Sequence, residues 1–236
     1  MVDGLVGSEM CIRDSYLLMR DSVHGSMKDE VILDGNYLKV KDQKVRVISG
    51  GQPGTIPWDI YDVDIVIDAT GRFLKKSDLA MHLDSGAKKV FTTRNPQEKI
   101  DRYVIPGIND SAIDSSDRII STTSSTTQVL ALMLKMLDES CGLERAMMTT
   151  VHAYTADQPL ADAAGLDLRR SRSAAENIIP NSTFAPSIVE EIMPKFKGKI
   201  DGIAFNVPVP NGSCVDLTSE LRKTPTVEEA NHAIKK

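Results

Sequence analysis

Cysteine is too sparse in this 236-residue sequence to frame a disulfide-stapled fold. Only Cys11, Cys141 and Cys214 occur, an odd number with no C-x-x-C spacing. That argues against a structural zinc site and fits a reducing compartment. No apolar run is long enough to cross a membrane. The first residues lack the charged and apolar segments of a signal peptide. There is no basic block, and the net charge is −5, so neither nucleic acid nor an anionic membrane is the default partner. Internal repeats and low-complexity linkers are missing as well. What remains is 41% hydrophobic and 26% charged, ordinary for a globular protein and long enough for one large domain or two small ones. The composition points to a cytoplasmic protein with no metal site.

One stretch organises the rest. Residues 118–121 are a β-branched approach that reads as a buried strand. A run of Ser and Thr follows, from Thr122 to Thr127, and then Val129 to Leu137 reads as an uninterrupted helix. A strand that turns straight into a helix exposes free N–H groups and a positive dipole end, which favour an anion or a nucleophile. Ser and Thr are also the preferred N-caps, so the hydroxyl run on its own reads more often as capping than as chemistry.

Elsewhere the pattern alternates between strands and helices. Val31–Leu33, Tyr37–Val40 and Val45–Ile48 read as short strands, with Asp34-Gly35 as a hairpin turn. Ile65–Ile67 is a continuous apolar run, the pattern of a strand buried on both faces. Ser77 is placed to cap a helix through Leu83, and Gly86 to end it. Lys89–Thr93 and Ala146–Val151 read as strands, the latter leading to His152. Residues 154–180 have no clear period and hold Arg169, Arg170 and Arg172. Ile188–Lys195 reads as a helix, and Ile203–Val207 and Ser213–Leu221 as strands. Thr226 and Glu229 have capping-box spacing. Alternation of this kind argues for an α/β fold with a parallel, doubly wound sheet.

Ser124-Ser125-Thr126-Thr127-Gln128 resembles the active-site segment of the phosphorylating glyceraldehyde-3-phosphate dehydrogenase family, which reads Ser-Cys-Thr-Thr-Asn. Met148-Thr149-Thr150-Val151-His152-Ala153, Asn177-Ile178-Ile179-Pro180, Ala204-Phe205-Asn206-Val207-Pro208 and Val215-Asp216-Leu217-Thr218 follow in family order. Upstream, Asp21-Ser22-Val23-His24-Gly25, Ile56-Pro57-Trp58 and Thr70-Gly71 also fit. The resemblance covers about residues 16–236. It implies a partial Rossmann-type NAD-binding domain over 16–123, then an α+β catalytic domain over 124–236 that stops short of the family's end. Residues 1–15 do not resemble the family and are expected to be foreign or disordered. G-x-G-x-x-G, the pyrophosphate-binding fingerprint, occurs nowhere. A phosphorylated aldehyde as substrate, NAD as cofactor and a homo-oligomer, by family a tetramer, are implied with it.

By the same resemblance, Ser125 stands at the nucleophile and His152 at the base. Ser124, Thr126, Thr155, Arg172, Thr183 and Asn206 match substrate and phosphate positions, and Thr70, Gly71 and Thr93 match the coenzyme face. Four departures alter the chemistry, and one of them is Asp157, which replaces a threonine and places negative charge beside an anion site. Ser125 replaces a cysteine whose thiolate a helix N-terminus and a His would favour. Asn206 replaces an arginine that would fork to phosphate. Phe184 replaces a glycine that approaches phosphate closely. On the coenzyme side, Thr93-Arg94-Asn95 replaces Ser-Ala-Pro, and Gly51 stands where the family often has Arg. Three functions follow: an altered dehydrogenase, a catalytically silent relative that acts by binding or oligomerisation, and a Ser125–His152 acyl hydrolase.

Overall fold

A computed structural model describes residues 12–48 and 52–235. Residues 1–11 and Gly51 lie outside the described residues, and so do the expectations placed on them. The chain divides into two compact units, Met1–Pro57 and Trp58–Lys236. The domain change expected at residues 123/124 falls inside the second.

In the first unit, residues 12–18 form helix α1. Strands β1 (Arg20–Asp21) and β2 (Gly25–Ser26) pair as a tight hairpin. Its turn is held by Asp21 Oδ1, which accepts from the N–H groups of Val23 and His24. Strands β3 (Val31–Asp34), β4 (Tyr37–Val40) and β5 (Gln43–Arg46) form an antiparallel sheet. The turn between β3 and β4 begins at Gly35, whose φ of 58° is the left-handed value such turns require. The third strand begins two residues before the expected start at Val45.

The second unit holds two four-stranded sheets. In the first, β6 (Ile65–Asp68), β7 (Lys89–Thr92), β9 (Ile119–Ser121) and β8 (Arg102–Tyr103) lie side by side, with every pairing parallel. The second runs in the order β11 (Ile179–Asn181), β12 (Ile200–Val207), β10 (Leu143–Ala153), β13 (Ser213–Leu221). There β10 and β12 are parallel while β11 and β13 pair antiparallel. Helices α2 (Lys76–Asp84), α3 (Ser125–Cys141), α4 (Ala185–Ile192) and α5 (Val227–Lys235) complete the unit.

Several boundaries differ from the sequence expectation for identifiable reasons. Ile65 and Ile67 are 53% and 67% exposed, whereas Val66 and Asp68 are buried. β6 is the edge strand, covered on one face only, so its apolar run does not mark two buried faces. Helix α2 begins at Lys76, not after a Ser77 cap. Its first N–H donates to Glu98 Oε2 at 3.1 Å, a side chain 22 residues away that no local rule would find. Helix α4 starts earlier than expected and stops before Pro194, which opens a 3₁₀ turn instead. The capping box at the start of α5 is present, with Thr226 N–H donating to Glu229 Oε2 and Glu229 N–H to Thr226 Oγ1.

The core follows the helix period. Thr127, Leu130, Ala131 and Leu134 form one buried stripe of α3. Leu130, Ala131 and Leu134 pack with Leu143, Met148, Val189 and Phe196 between α3, α4 and the second sheet. Leu79, Val90, Ile119 and Ile188 form a second cluster under the parallel sheet. Each such large aliphatic group contributes about 1.5–3 kcal/mol when buried. Together they fix the carboxyl ends of β7, β9 and β10 beside the first turn of α3.

Candidate active-site cleft

The link from β9 to α3 is held by several contacts. Thr123 has φ 63° and is buried, a conformation unusual for a β-branched residue. Its N–H donates to Ser121 Oγ at 3.0 Å. Thr122 is held on both sides, its N–H donating to Thr92 O and its carbonyl accepting from Gln128 Nε2. Past this corner, Ser124 is the N-cap, its Oγ accepting from Thr127 N–H at 3.3 Å. Ser125 is the first helical residue and is exposed. The bland reading of the hydroxyl run therefore applies to Ser124, while Ser125 presents its hydroxyl at the positive end of a 17-residue helix.

A cleft of about 780 Å³ opens there. Thr70, Gly71, Thr93, Ser124, Ser125, Thr126, His152, Thr155, Thr183 and Asn206 all line it. Arg172 does not. It pairs with Asp162 at 3.2 Å on the exposed loop. Arg170, two residues earlier, reaches the wall instead and pairs with Asp157 at 2.5 Å. Burial raises the Asp157 pKa, but the Thr155 hydroxyl and the Arg170 charge outweigh it and leave the group below the ordinary carboxylate range.

His152 lies one residue from the end of β10, opposite Asn206 of β12. Its Nδ1 is 2.7 Å from the carbonyl of Ala153. A carbonyl only accepts, so in the neutral ring Nδ1 carries the proton and Nε2 the lone pair, the tautomer a general base needs. The orienting group is main chain, which is why no side chain in the sequence suggested one. Among the described residues no hydrogen bond joins Ser125 to His152.

Asn206 is buried, and both ends of its amide are engaged. Nδ2 donates to Gln158 Oε1 at 2.6 Å, and Oδ1 accepts from Asn181 Nδ2 at 3.4 Å. Gln158 is itself buried and also accepts from Thr155 N–H. A neutral amide cluster thus occupies the position where the resemblance implies an arginine. Gln158 and Asn181 escaped the sequence reading because nothing local marks them. Thr183 Oγ1 accepts from Ala185 N–H at the start of α4, and Phe184, 68% exposed, adds an aromatic face to the wall.

The residues expected on the coenzyme face lie beside Asp68, at the end of β6. Its Oδ1 accepts from both the N–H and the hydroxyl of Thr70, at 2.9 and 2.7 Å. Oδ2 is buried without a hydrogen bond and stands 3.8 Å from His82 Nε2. His82 Nδ1 accepts from Trp58 Nε1 at 3.1 Å. The Thr70-Gly71 turn is therefore braced from behind by buried Asp68 and His82 and half-buried Trp58. Gly71 has φ 67°, where a side chain would be strained.

Comparison with known proteins gives matches to two family models and to curated relatives. Residues 124–236 match the family model described as "Glyceraldehyde 3-phosphate dehydrogenase, C-terminal domain". Residues 8–76 match "Glyceraldehyde 3-phosphate dehydrogenase, NAD binding domain". The chain is 45% identical over 222 residues to the glyceraldehyde-3-phosphate dehydrogenase of Geobacillus stearothermophilus, and 44% identical to that of Priestia megaterium (strain DSM 319 / IMG 1521). It is also 44% identical over 223 residues to the Streptomyces coelicolor (strain ATCC BAA-471 / A3(2) / M145) protein of the same name. In each case the match covers 94% of this chain and 66% of the relative.

Proposed function

Because this chain belongs to the glyceraldehyde-3-phosphate dehydrogenase family, we propose that its cleft binds NAD and an aldehyde substrate but no longer carries out phosphorylating oxidation. The observation that carries this reading is Ser125 in the nucleophile's place, exposed at the N-terminus of α3 and without a hydrogen bond to His152. A helix N-terminus can bring a thiol toward ionisation near neutral pH, whereas an alcohol remains far above that range. An oxygen ester is also a poorer acyl donor than a thioester. His152 is set up as a base with no adequately acidic partner.

The residues present fit the nicotinamide end of NAD. Thr70, Gly71 and Thr93 lie at the carboxyl ends of parallel strands, where open α/β sheets bind such ligands. NAD, when bound, would supply a hydride acceptor. Ser124 and Thr126 offer hydroxyls beside the helix terminus, and Thr155 and Thr183 offer hydroxyls on the opposite wall. The family's phosphate-binding arginine position, at Asn206, supplies no charge. A phosphorylated aldehyde would lose roughly ten- to a hundred-fold in binding there.

Between the silent protein and a weak dehydrogenase, the missing thiolate and the neutral amide cluster together favour the silent one, acting by binding or by joining an oligomer. The hydrolase reading requires a Ser125–His152 hydrogen bond, which is lacking, and an orienting carboxylate, whose place Ala153 O takes. Calorimetric titration of the full chain with NAD tests the proposal. A saturable one-to-one heat is expected, and its absence would remove the binding half of the reading. Loss of p-nitrophenyl ester hydrolysis in Ser125→Ala would support the hydrolase instead.

A further inference from the structure

We propose that Arg94 forms an anion subsite in this cleft, one that takes the phosphoryl or carboxylate group of a bound substrate or coenzyme. The proposal rests on the cleft being a ligand site and is independent of whether anything is oxidised there.

Among the described residues, two arginines line the cleft. Arg170 is neutralised by Asp157. The guanidinium of Arg94 is exposed and has no carboxylate or carbonyl partner among the described residues. Its main chain, by contrast, is fixed. Arg94 N–H donates to Thr92 Oγ1 at 3.3 Å, and its carbonyl accepts from the fully buried Ser121 Oγ at 2.8 Å.

The side chain lies against Gly71. A Cβ built on that glycine would stand 3.1 Å from Arg94 Nε and 3.4 Å from Nη2. A bare, left-handed glycine therefore gives the guanidinium room to rest on the turn after β6. Gly71 follows β6 and Arg94 follows β7, so both sit at the carboxyl edge of the parallel sheet. On the opposite wall, Asn206 has both amide ends occupied and carries no charge. The cleft's uncompensated arginine thus stands on the β7 side and not on the β12 side. Arginine suits the task because its planar fork meets an oxyanion with two parallel hydrogen bonds.

The test titrates the full chain with inorganic phosphate against chloride at fixed ionic strength, read by calorimetry. Wild type should bind saturably, and Arg94→Gln should bind about ten- to a hundred-fold more weakly. Arg72→Gln, an exposed neighbour off the cleft wall, controls for diffuse charge and should bind as wild type does. Gly71→Ala is the second variant. It keeps the charge but pushes the guanidinium off its seat, and it should also weaken phosphate binding. NAD is titrated in parallel. A matching loss of NAD affinity in Arg94→Gln assigns the subsite to the coenzyme, and unchanged NAD affinity assigns it to the substrate. Equal phosphate binding by wild type and Arg94→Gln, an equal loss in Arg72→Gln, or no phosphate binding by wild type overturns the proposal. Failure of wild type to bind NAD while phosphate binding depends on Arg94 would instead sink the coenzyme reading and leave this one standing.

Discussion

Replacing Ser125 with cysteine separates two contributions that the family's chemistry joins. The new thiol would stand at the first position of α3, exposed, with the full helix behind it. A free cysteine titrates near pH 8.5. A helix N-terminus stabilises an exposed anion by about 0.3–1 kcal/mol, and one pKa unit is about 1.4 kcal/mol. The helix alone should therefore bring the thiol down by at most about 0.7 unit. At pH 7 that raises the thiolate fraction from about 3% to about 14%. His152 sits on the wall of the same cleft with no hydrogen bond to Ser125 among the described residues, so any larger depression has to come from an imidazolium drawn into contact with the thiolate. The assay is the pH dependence of iodoacetamide alkylation in Ser125→Cys and in Ser125→Cys/His152→Gln, with Cys214 as the exposed internal reference. A midpoint well below 7.8 in the first variant that returns to about 7.8–8.3 in the second would show that His152 still cooperates with this position. A midpoint at 8.5 in both would refute the placement of residue 125 at a helix terminus.

The same variant should restore little phosphorylating activity, because Asn206 and Phe184 still shape the anion site; Ser125→Cys/Asn206→Arg/Phe184→Gly should exceed any single change, and full activity from Ser125→Cys alone would contradict the account. Gly86→Ala should destabilise the chain by roughly 1–3 kcal/mol or more in urea melts, since φ is 109° and the new Cβ would stand 2.6 Å from Asp59 N. Burial holds His82 below its ordinary value of 6.5, against the pull of Asp68. The unfolded chain then binds that proton more readily, so the stability linked to His82 is complete above about pH 6.5 and is lost as pH falls through the folded value. His82→Asn should flatten that part of the Tm–pH curve, and an unchanged curve would remove His82 as its source. Ile65→Lys and Ile67→Lys should reduce self-association in light scattering at little cost in stability, because both side chains are exposed on an edge strand.

The strand–turn–helix at the centre of the site was legible because its signals are local. Ile119-Ile120 gave the strand, the hydroxyl run gave the cap, and the period of Leu130, Leu134 and their neighbours gave the helix. His152 was legible as the end of an apolar strand. What escaped depends on contacts between distant residues. Nothing near Gln158 announces that it will bury its amide against Asn206, 48 positions away. Thr123 adopts a left-handed backbone because the strand and helix it joins are both anchored elsewhere, not because of any turn residue. Arg172 and Arg170 are indistinguishable in a charge cluster, and only the fold of the loop decides which one meets Asp157. The apolar run in β6 reported hydrophobicity correctly, but whether a face is covered belongs to the sheet and not to the strand.

The central claim, a cleft that binds without oxidising, is tested most directly by a single-turnover trace at 340 nm. Full chain in excess is mixed with NAD, phosphate and glyceraldehyde 3-phosphate. The account predicts a flat trace from the protein carrying Ser125, together with saturable NAD binding. A rapid burst approaching one NADH per site would contradict it, because it would require Ser125 to do at this helix terminus what the account assigns to a thiolate alone.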